Sequence, residues 1–309
     1  MEGGTILINP NFQDDISGLS QISIGPPLGL AYIAAILKKN NFKVSIIDAN
    51  ADKLNEKEIL SILKKSKPEY IGITSTTPTY NSCLKLAKSI KKRLKDINIV
   101  FGGIYPSTFP NEVLKENCVD YIILGEGEHT FLELIKGKNK LDEIQGLGFK
   151  DKGKIKINPK RDFINDLDSL PFPARDLLPN DKYSSLEFSS FSTIIAMRGC
   201  PANCIYCSVP NFCGRKLRIR SVDNVIKEIE EIVNKFKIKS FSFLDDTFTY
   251  DRKWVESFCL EMIRKRLNKK IEWLCLTRVD TIDLDLLKLM KKAGCYKIEI
   301  GIESGSLRI

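Results

Sequence analysis

One histidine, His129, occurs among the 309 residues. A single imidazole excludes every site that needs two or three of them from this chain alone, the usual catalytic zinc sets included. Long apolar runs are missing as well: no stretch reaches the roughly 20 continuous apolar residues of a membrane span. The start, Met1-Glu2-Gly3-Gly4-Thr5, lacks the basic residues and apolar core of a secretion signal, so a cytoplasmic location is the expectation. Internal repeats and low-complexity tracts are absent, and so is any ribbon of basic and aromatic residues that could stack single strands.

Charge of one sign is in excess, at +9, but it is dispersed. Lys38-Lys39, Lys64-Lys65, Lys91-Lys92-Arg93 and Lys291-Lys292 fall late in helical patterns, where cations complement the negative helix end. A solvated face accounts for them, and nucleic acid is not an expected partner.

Cysteine is plentiful by contrast, with nine residues. Without a secretion signal, clustered cysteines point to metal or redox chemistry before disulfides. Cys83, Cys118, Cys259, Cys275 and Cys295 have no ligand spacing and read as small buried residues.

Residues 1–140 alternate short Ile/Val-rich runs with helical patterns. The runs are Thr5–Asn9, Val44–Asp48, Tyr70–Thr74, Ile97–Phe101 and Tyr121–Leu124, with helices near 29–40, 56–67, 81–96, 111–117 and 129–137. Runs this short and apolar fit strands buried on both faces. Strict alternation predicts a doubly wound parallel sheet. Ligands bind beyond the C-terminal strand edges of such sheets. Those edges carry Thr74-Ser75-Thr76-Thr77, Gly102-Gly103 and Gly125-Glu126-Gly127-Glu128; each is also what a plain tight turn requires.

A hairpin is expected at 146–158, turning at Asp151-Lys152-Gly153. A proline-rich linker through Leu170-Pro-Phe-Pro173-Ala-Arg175 then ends the first domain. The boundaries expected are 1–145, 146–185 and 186–309. In the last segment strands read at Thr193–Met197, Ser240–Leu244, Ile271–Leu276 and Tyr296–Ile302, with helices near 221–236, 251–267 and 282–293. Ser221 and Thr281 with Asp283 sit where helix N-caps are expected.

The loop after Thr193–Met197 reads Arg198-Gly-Cys200-Pro-Ala-Asn-Cys204-Ile-Tyr206-Cys207. Three thiolates this close must wrap one centre, and thiolates suit zinc or iron–sulfur. A structural zinc needs four ligands, with Cys213 as the available fourth. Three ligands on a four-iron cluster leave one iron open for chemistry, and the crowding of three cysteines into eight residues favours this reading.

This CxxxCxxC loop, with Tyr206 before its last cysteine and a βα series behind it, resembles the signature of the radical S-adenosylmethionine (SAM) superfamily. The resemblance implies a partial (βα) barrel, a 4Fe-4S cluster on Cys200, Cys204 and Cys207, and SAM chelated by the open iron. It further implies that Asp245 or Asp246 meets the methionyl amino group, Arg278 the carboxylate, and Glu303 and Ser304 the ribose, with Tyr206 beside the cofactor. An electron donor such as a ferredoxin or flavodoxin follows as a partner. No catalytic side chain is assigned.

The N-terminal domain resembles the cobalamin-binding class of these enzymes through Pro26-Pro-Leu-Gly29, Asp48, Gly102-Gly103 and Gly125-Glu-Gly-Glu128. That implies cobalamin near Ser75, Thr76, Gly102, Gly103, Gly125 and Glu126. The Asp-x-His-x-x-Gly loop of classical cobalamin domains is absent, so a lower histidine ligand is not expected. The fold class implied is α/β: a doubly wound, Rossmann-like or flavodoxin-like cobalamin-binding-type domain, then about four of six barrel units. Members methylate unreactive carbon or phosphorus centres or close rings, as in anaerobic magnesium-porphyrin ester cyclisation. Because residues 193–309 supply four strands, a fragment, a split protein completed by a second chain, or a non-catalytic cluster- or zinc-binding relic are alternative expectations. A tRNA methylthiotransferase is a further alternative, but it would need three more cysteines where only Cys83 and Cys118 stand.

Overall fold

The computed structural model describes residues 4–11, 24–137 and 140–306. The chain forms two compact units: Met1–Ile164 with Leu170–Lys182, and Asn165–Ser169 with Tyr183–Ile309.

The first unit runs β1 (Thr5–Asn9), α1 (Leu28–Lys39), β2 (Val44–Asp48), α2 (Glu56–Ser66), β3 (Tyr70–Thr74), α3 (Tyr80–Arg93), β4 (Asn98–Gly102), α4 (Ile104–Thr108), α5 (Pro110–Lys115), β5 (Tyr121–Ile123), α6 (Glu128–Lys136), β6 (Leu147–Asp151) and β7 (Lys154–Ile157). The sheet order is β2-β1-β3-β4-β5-β6-β7. β1 to β5 are mutually parallel, and their 2-1-3-4-5 order is flavodoxin-like, reversing between β1 and β3. Consecutive residues Leu7 and Ile8 are both fully buried, as they must be when helices cover both faces. The hairpin expected near residue 150 extends this sheet: β6 pairs antiparallel with β5, and β7 with β6. Its position follows from Leu147 and Phe149, which are buried while β7 keeps its lysines outward. Asn55 caps α2 through a reciprocal pair, accepting from Glu58 N at 3.1 Å while Glu58 accepts from Asn55 N at 2.8 Å.

The second unit runs β8 (Phe191–Ile194), β9 (Met197–Arg198), α7 (Val209–Cys213), β10 (Arg218–Ile219), α8 (Val222–Asn234), β11 (Ser240–Phe243), α9 (Arg252–Arg264), β12 (Glu272–Thr277), α10 (Leu284–Lys292) and β13 (Cys295–Ile300). A parallel sheet of order β13-β12-β11-β8 carries α8, α9 and α10. Phe241, Phe243, Phe248, Phe258 and Trp273 fill the core between sheet and helices, all fully buried. Ser221, Asp251 and Asp283 cap α8, α9 and α10 by accepting from Asn224, Trp254 and Leu286 N–H groups. Asp283, not Thr281, is therefore the cap of α10; the Thr281 hydroxyl donates to Arg278 O at 2.9 Å.

The strand expected at Thr193–Met197 divides in two. Asp245 Oδ1 accepts from Ala196 N at 2.9 Å and Met197 N at 2.7 Å. Those N–H groups leave the parallel ladder, and β9 pairs antiparallel with β10 instead. The bend delivers the cysteine loop at the C-terminal end of β8. Among the described residues no helix is long and apolar enough to cross a membrane.

Candidate cluster and cofactor sites

Gly199 opens the cysteine loop at φ 92°, and a Cβ there would lie 2.4 Å from Lys216 O, so only glycine fits. The turn is held by Cys200 N donating to Gly214 O at 3.1 Å and Cys207 N donating to Cys204 O at 3.2 Å. Cys200 is buried, Cys204 and Cys207 half-buried, and all three are free thiols. Between them Ile205 is fully exposed and Tyr206 largely so. Among the described residues no three His, Cys, Asp or Glu side chains converge on a single-ion point. The donor set fits an iron–sulfur cluster: three soft thiols on one short loop, next to a cation that complements thiolate charge. Cys213 ends α7, and its carbonyl accepts from Arg218 Nη2 at 2.9 Å.

That cation is Arg278, at the C-terminal end of β12. Its Nη1 donates to Cys204 Sγ at 3.1 Å, while Nε and Nη2 clamp Asp280 at 2.9 and 2.7 Å. Arg278, which the resemblance sets against the cofactor carboxylate, thus has its Nε–Nη2 edge engaged with Asp280. Desolvation, then the charges of Glu303 and Cys204 nearby, raise the Tyr206 phenol above its usual value. Glu303 adopts the left-handed φ of 61° and is exposed. Ser304 is half-buried, its hydroxyl accepting from Ser306 N at 3.0 Å.

The adjacent carboxylates differ. Asp245 is buried, and burial pushes its carboxyl up to about 7 against the two backbone donors and Arg220. Its Oδ2 makes no hydrogen bond among the described residues. Asp246 reaches solvent, although surrounding protein desolvates it enough to raise its carboxyl. Of the two, Asp246 is open to a cofactor and Asp245 serves the backbone. Two groups escaped the sequence reading: Thr247, whose hydroxyl lies 3.9 Å from Cys200 Sγ, and Asp280. Asp280 lies two residues beyond Arg278 in the sequence, but only the fold reveals what its neighbour touches.

In the first unit, the C-terminal edges of β3, β4 and β5 converge. Ser75 is buried, its N–H donates to Gly102 O at 2.9 Å, and its hydroxyl makes no hydrogen bond among the described residues. Gly103, at φ 98°, lies so close that a Cβ would meet Ser75 O at 2.6 Å. Gly102 and Gly125 instead face open space where their Cβ atoms would be. Thr76 is turned inward: its N–H and hydroxyl bond Thr79 Oγ1 at 2.9 and 3.0 Å. Glu126 accepts from Ile164 N at 2.7 Å. An open glycine cradle beside a buried, unsatisfied hydroxyl fits a broad ligand such as cobalamin. His129 lies in the first turn of α6, and residues 12–23, between β1 and α1, lie outside the described residues.

Comparison with known proteins identifies both domains. The B12 binding domain family matches residues 21–135, and the radical SAM superfamily matches residues 194–309. The chain belongs to the radical SAM superfamily and carries a B12-binding domain. The two domains imply a 4Fe-4S cluster, SAM and cobalamin as cofactors. An uncharacterized methyltransferase of Pyrococcus horikoshii is 38% identical over 289 residues, 92% of this chain and 62% of that protein. The anaerobic magnesium-protoporphyrin IX monomethyl ester cyclase of Cereibacter sphaeroides is 30% identical over 313 residues, 97% of this chain and 50% of its own length. The chain thus spans between half and two thirds of these relatives. The structure of the cobalamin-dependent SAM radical enzyme OxsB, with aqua-cobalamin and SAM bound, superposes with a TM-score of 0.84 at 23% identity. It covers 99% of this chain and 44% of that one, and shows the fold of a radical SAM protein with a B12-binding domain.

Proposed function

We propose that this chain reductively cleaves SAM to begin radical chemistry and uses cobalamin for methyl transfer to an unreactive centre. The observation that carries it is the placement of the Cys200-Cys204-Cys207 loop, Asp246, Arg278 and Glu303 after the C-terminal ends of four parallel strands, with Arg278 bonded to Cys204 Sγ. When bound, the three cofactors supply a 5′-deoxyadenosyl radical and a transferable methyl group. The three thiols hold the cluster. Asp246 offers an acceptor for the SAM amino group, and Arg278, with N–H groups left over on Nη1 and Nη2, offers donors near the thiols. Glu303 and Ser304 offer polar groups to the ribose. In the B12-binding domain, Gly102 and Gly125 give room for cobalamin, with Ser75 as a buried polar contact and Thr76, Gly103 and Glu126 shaping the cradle.

The methyltransferase name of the 38%-identical relative favours methyl transfer. Radical ring closure is the second reading, supported by the cyclase relative. An electron donor of the ferredoxin or flavodoxin type belongs to this proposal, as does a reducing cytoplasmic location, which nine free thiols support. A further βα segment from a second chain is proposed against β13, which pairs only with β12 among the described residues.

The test is anaerobic reconstitution with iron, sulfide and cobalamin, followed by reduction in the presence of SAM. Formation of 5′-deoxyadenosine and retention of cobalamin through gel filtration are expected. A cluster-loaded protein that yields no 5′-deoxyadenosine would refute the catalytic reading, and one that never retains cobalamin would refute the methyl-transfer reading.

A further inference from the structure

The three thiols of the cluster loop are not equivalent. Cys204 Sγ receives a charged hydrogen bond from Arg278 Nη1 at 3.1 Å, while the neighbour of Cys200 Sγ is the neutral Thr247 hydroxyl at 3.9 Å. Arg278 is itself fixed at both ends. Its carbonyl accepts from the Thr281 hydroxyl at 2.9 Å and from Thr281 N at 3.2 Å, which locks the turn after β12. Its Nε and Nη2 edge is taken by both oxygens of Asp280. A guanidinium is planar, so engaging one edge fixes the direction of the remaining Nη1 donor.

We infer that Asp280 is a positioning residue: it aims Arg278 at Cys204 and thereby raises the reduction potential of the cluster. This rests on the radical SAM reading of the triad. Hydrogen bonds to cluster sulfurs are among the protein's means of setting that potential. A cationic donor on a ligand sulfur stabilises the reduced, more negative state, and charge-assisted bonds do so more than neutral ones. Both Arg278 and Asp280 are partly exposed, with side-chain exposures of 37% and 58%. Without Asp280 the long Arg278 side chain is free to leave for solvent, since no other carboxylate pairs with it among the described residues.

The sign of the effect separates positioning from simple charge. As a bare negative charge near the cluster, Asp280 lowers the potential, and its removal raises it. As the residue that aims Arg278, it raises the potential, and its removal lowers it.

The experiment is an EPR-monitored redox titration of the full chain, cluster-reconstituted under anaerobic conditions, with iron content measured for every variant. Asp280→Asn and Arg278→Gln should each shift the midpoint downward. Asp280→Glu should recover most of the wild-type value, and the double variant should fall no further than Arg278→Gln alone. Asp280→Ser is titrated in place of Asp280→Asn if the latter takes up less iron. A midpoint that rises or stays put on loss of Asp280, at wild-type iron content, overturns the inference and leaves the triad reading intact. A wild-type chain that assembles no cluster removes both.

Discussion

Asp245 accepts a hydrogen bond from the backbone of Met197 at 2.7 Å, across 48 residues of sequence. With the companion bond from Ala196, this carboxylate bends the first strand of the second unit and sets the place from which the cysteine loop departs. One buried side chain thus links the core of the unit to its chemistry.

This carboxyl makes stability depend on pH. Burial raises it from the ordinary value of 3.8 to about 7, so the folded chain binds the proton more tightly than the unfolded chain. The stabilisation is complete below the ordinary value and is lost as pH rises through about 7. Asp245→Asn should flatten that slope. Asp245→Ala should cost about 2–4 kcal/mol at pH 5 by stranding two buried N–H groups, and less at pH 8, where the wild-type carboxyl no longer stabilises. Urea unfolding of the apo chain at pH 5 and pH 8 measures both.

The cluster ligands are separable from their neighbour. Cys200→Ala, Cys204→Ala or Cys207→Ala should each abolish the thiolate-to-iron charge-transfer absorbance of the reconstituted chain. Cys213→Ala should retain it. Visible spectra with iron and sulfide counts decide, and the opposite pattern would reassign the ligands.

Two adjacent glycines in the first unit should fail in different ways. Gly103→Ala forces a Cβ onto Ser75 O at a left-handed φ, and should destabilise the domain by about 1–3 kcal/mol. Gly102→Leu meets open space and should leave the melting temperature nearly unchanged while blocking cobalamin retention. Thermal unfolding and gel filtration with cobalamin distinguish the two.

The buried ion pair of Arg220 and Glu228 is 2.5 Å long, with side chains 4% and 0% exposed. Arg220→Met removes the counter-charge of Glu228 and should cost about 3–5 kcal/mol. Arg220→Met combined with Glu228→Leu should recover most of that loss, as denaturant midpoints will show.

Much of the architecture was legible because a strand buried on both faces must be a short apolar run, whatever surrounds it. Thr5–Asn9, Val44–Asp48 and Tyr70–Thr74 stand where that rule put them. The β9–β10 pair was not legible, because two-residue strands leave no periodicity. Nor was the attachment of the 146–157 hairpin to the first sheet, since a hairpin's local pattern does not name the edge it joins.

The sequence by itself determined which residues are proposed as ligands. Three cysteines within eight residues are held close by chain connectivity, and one histidine leaves few other metal sites to build. Tertiary structure alone decided what those ligands feel. Arg278 stands 74 residues from Cys204, and Asp280 is turned to hold it there. Contacts between distant segments depend on strand register and side-chain direction, which no local pattern in the chain encodes.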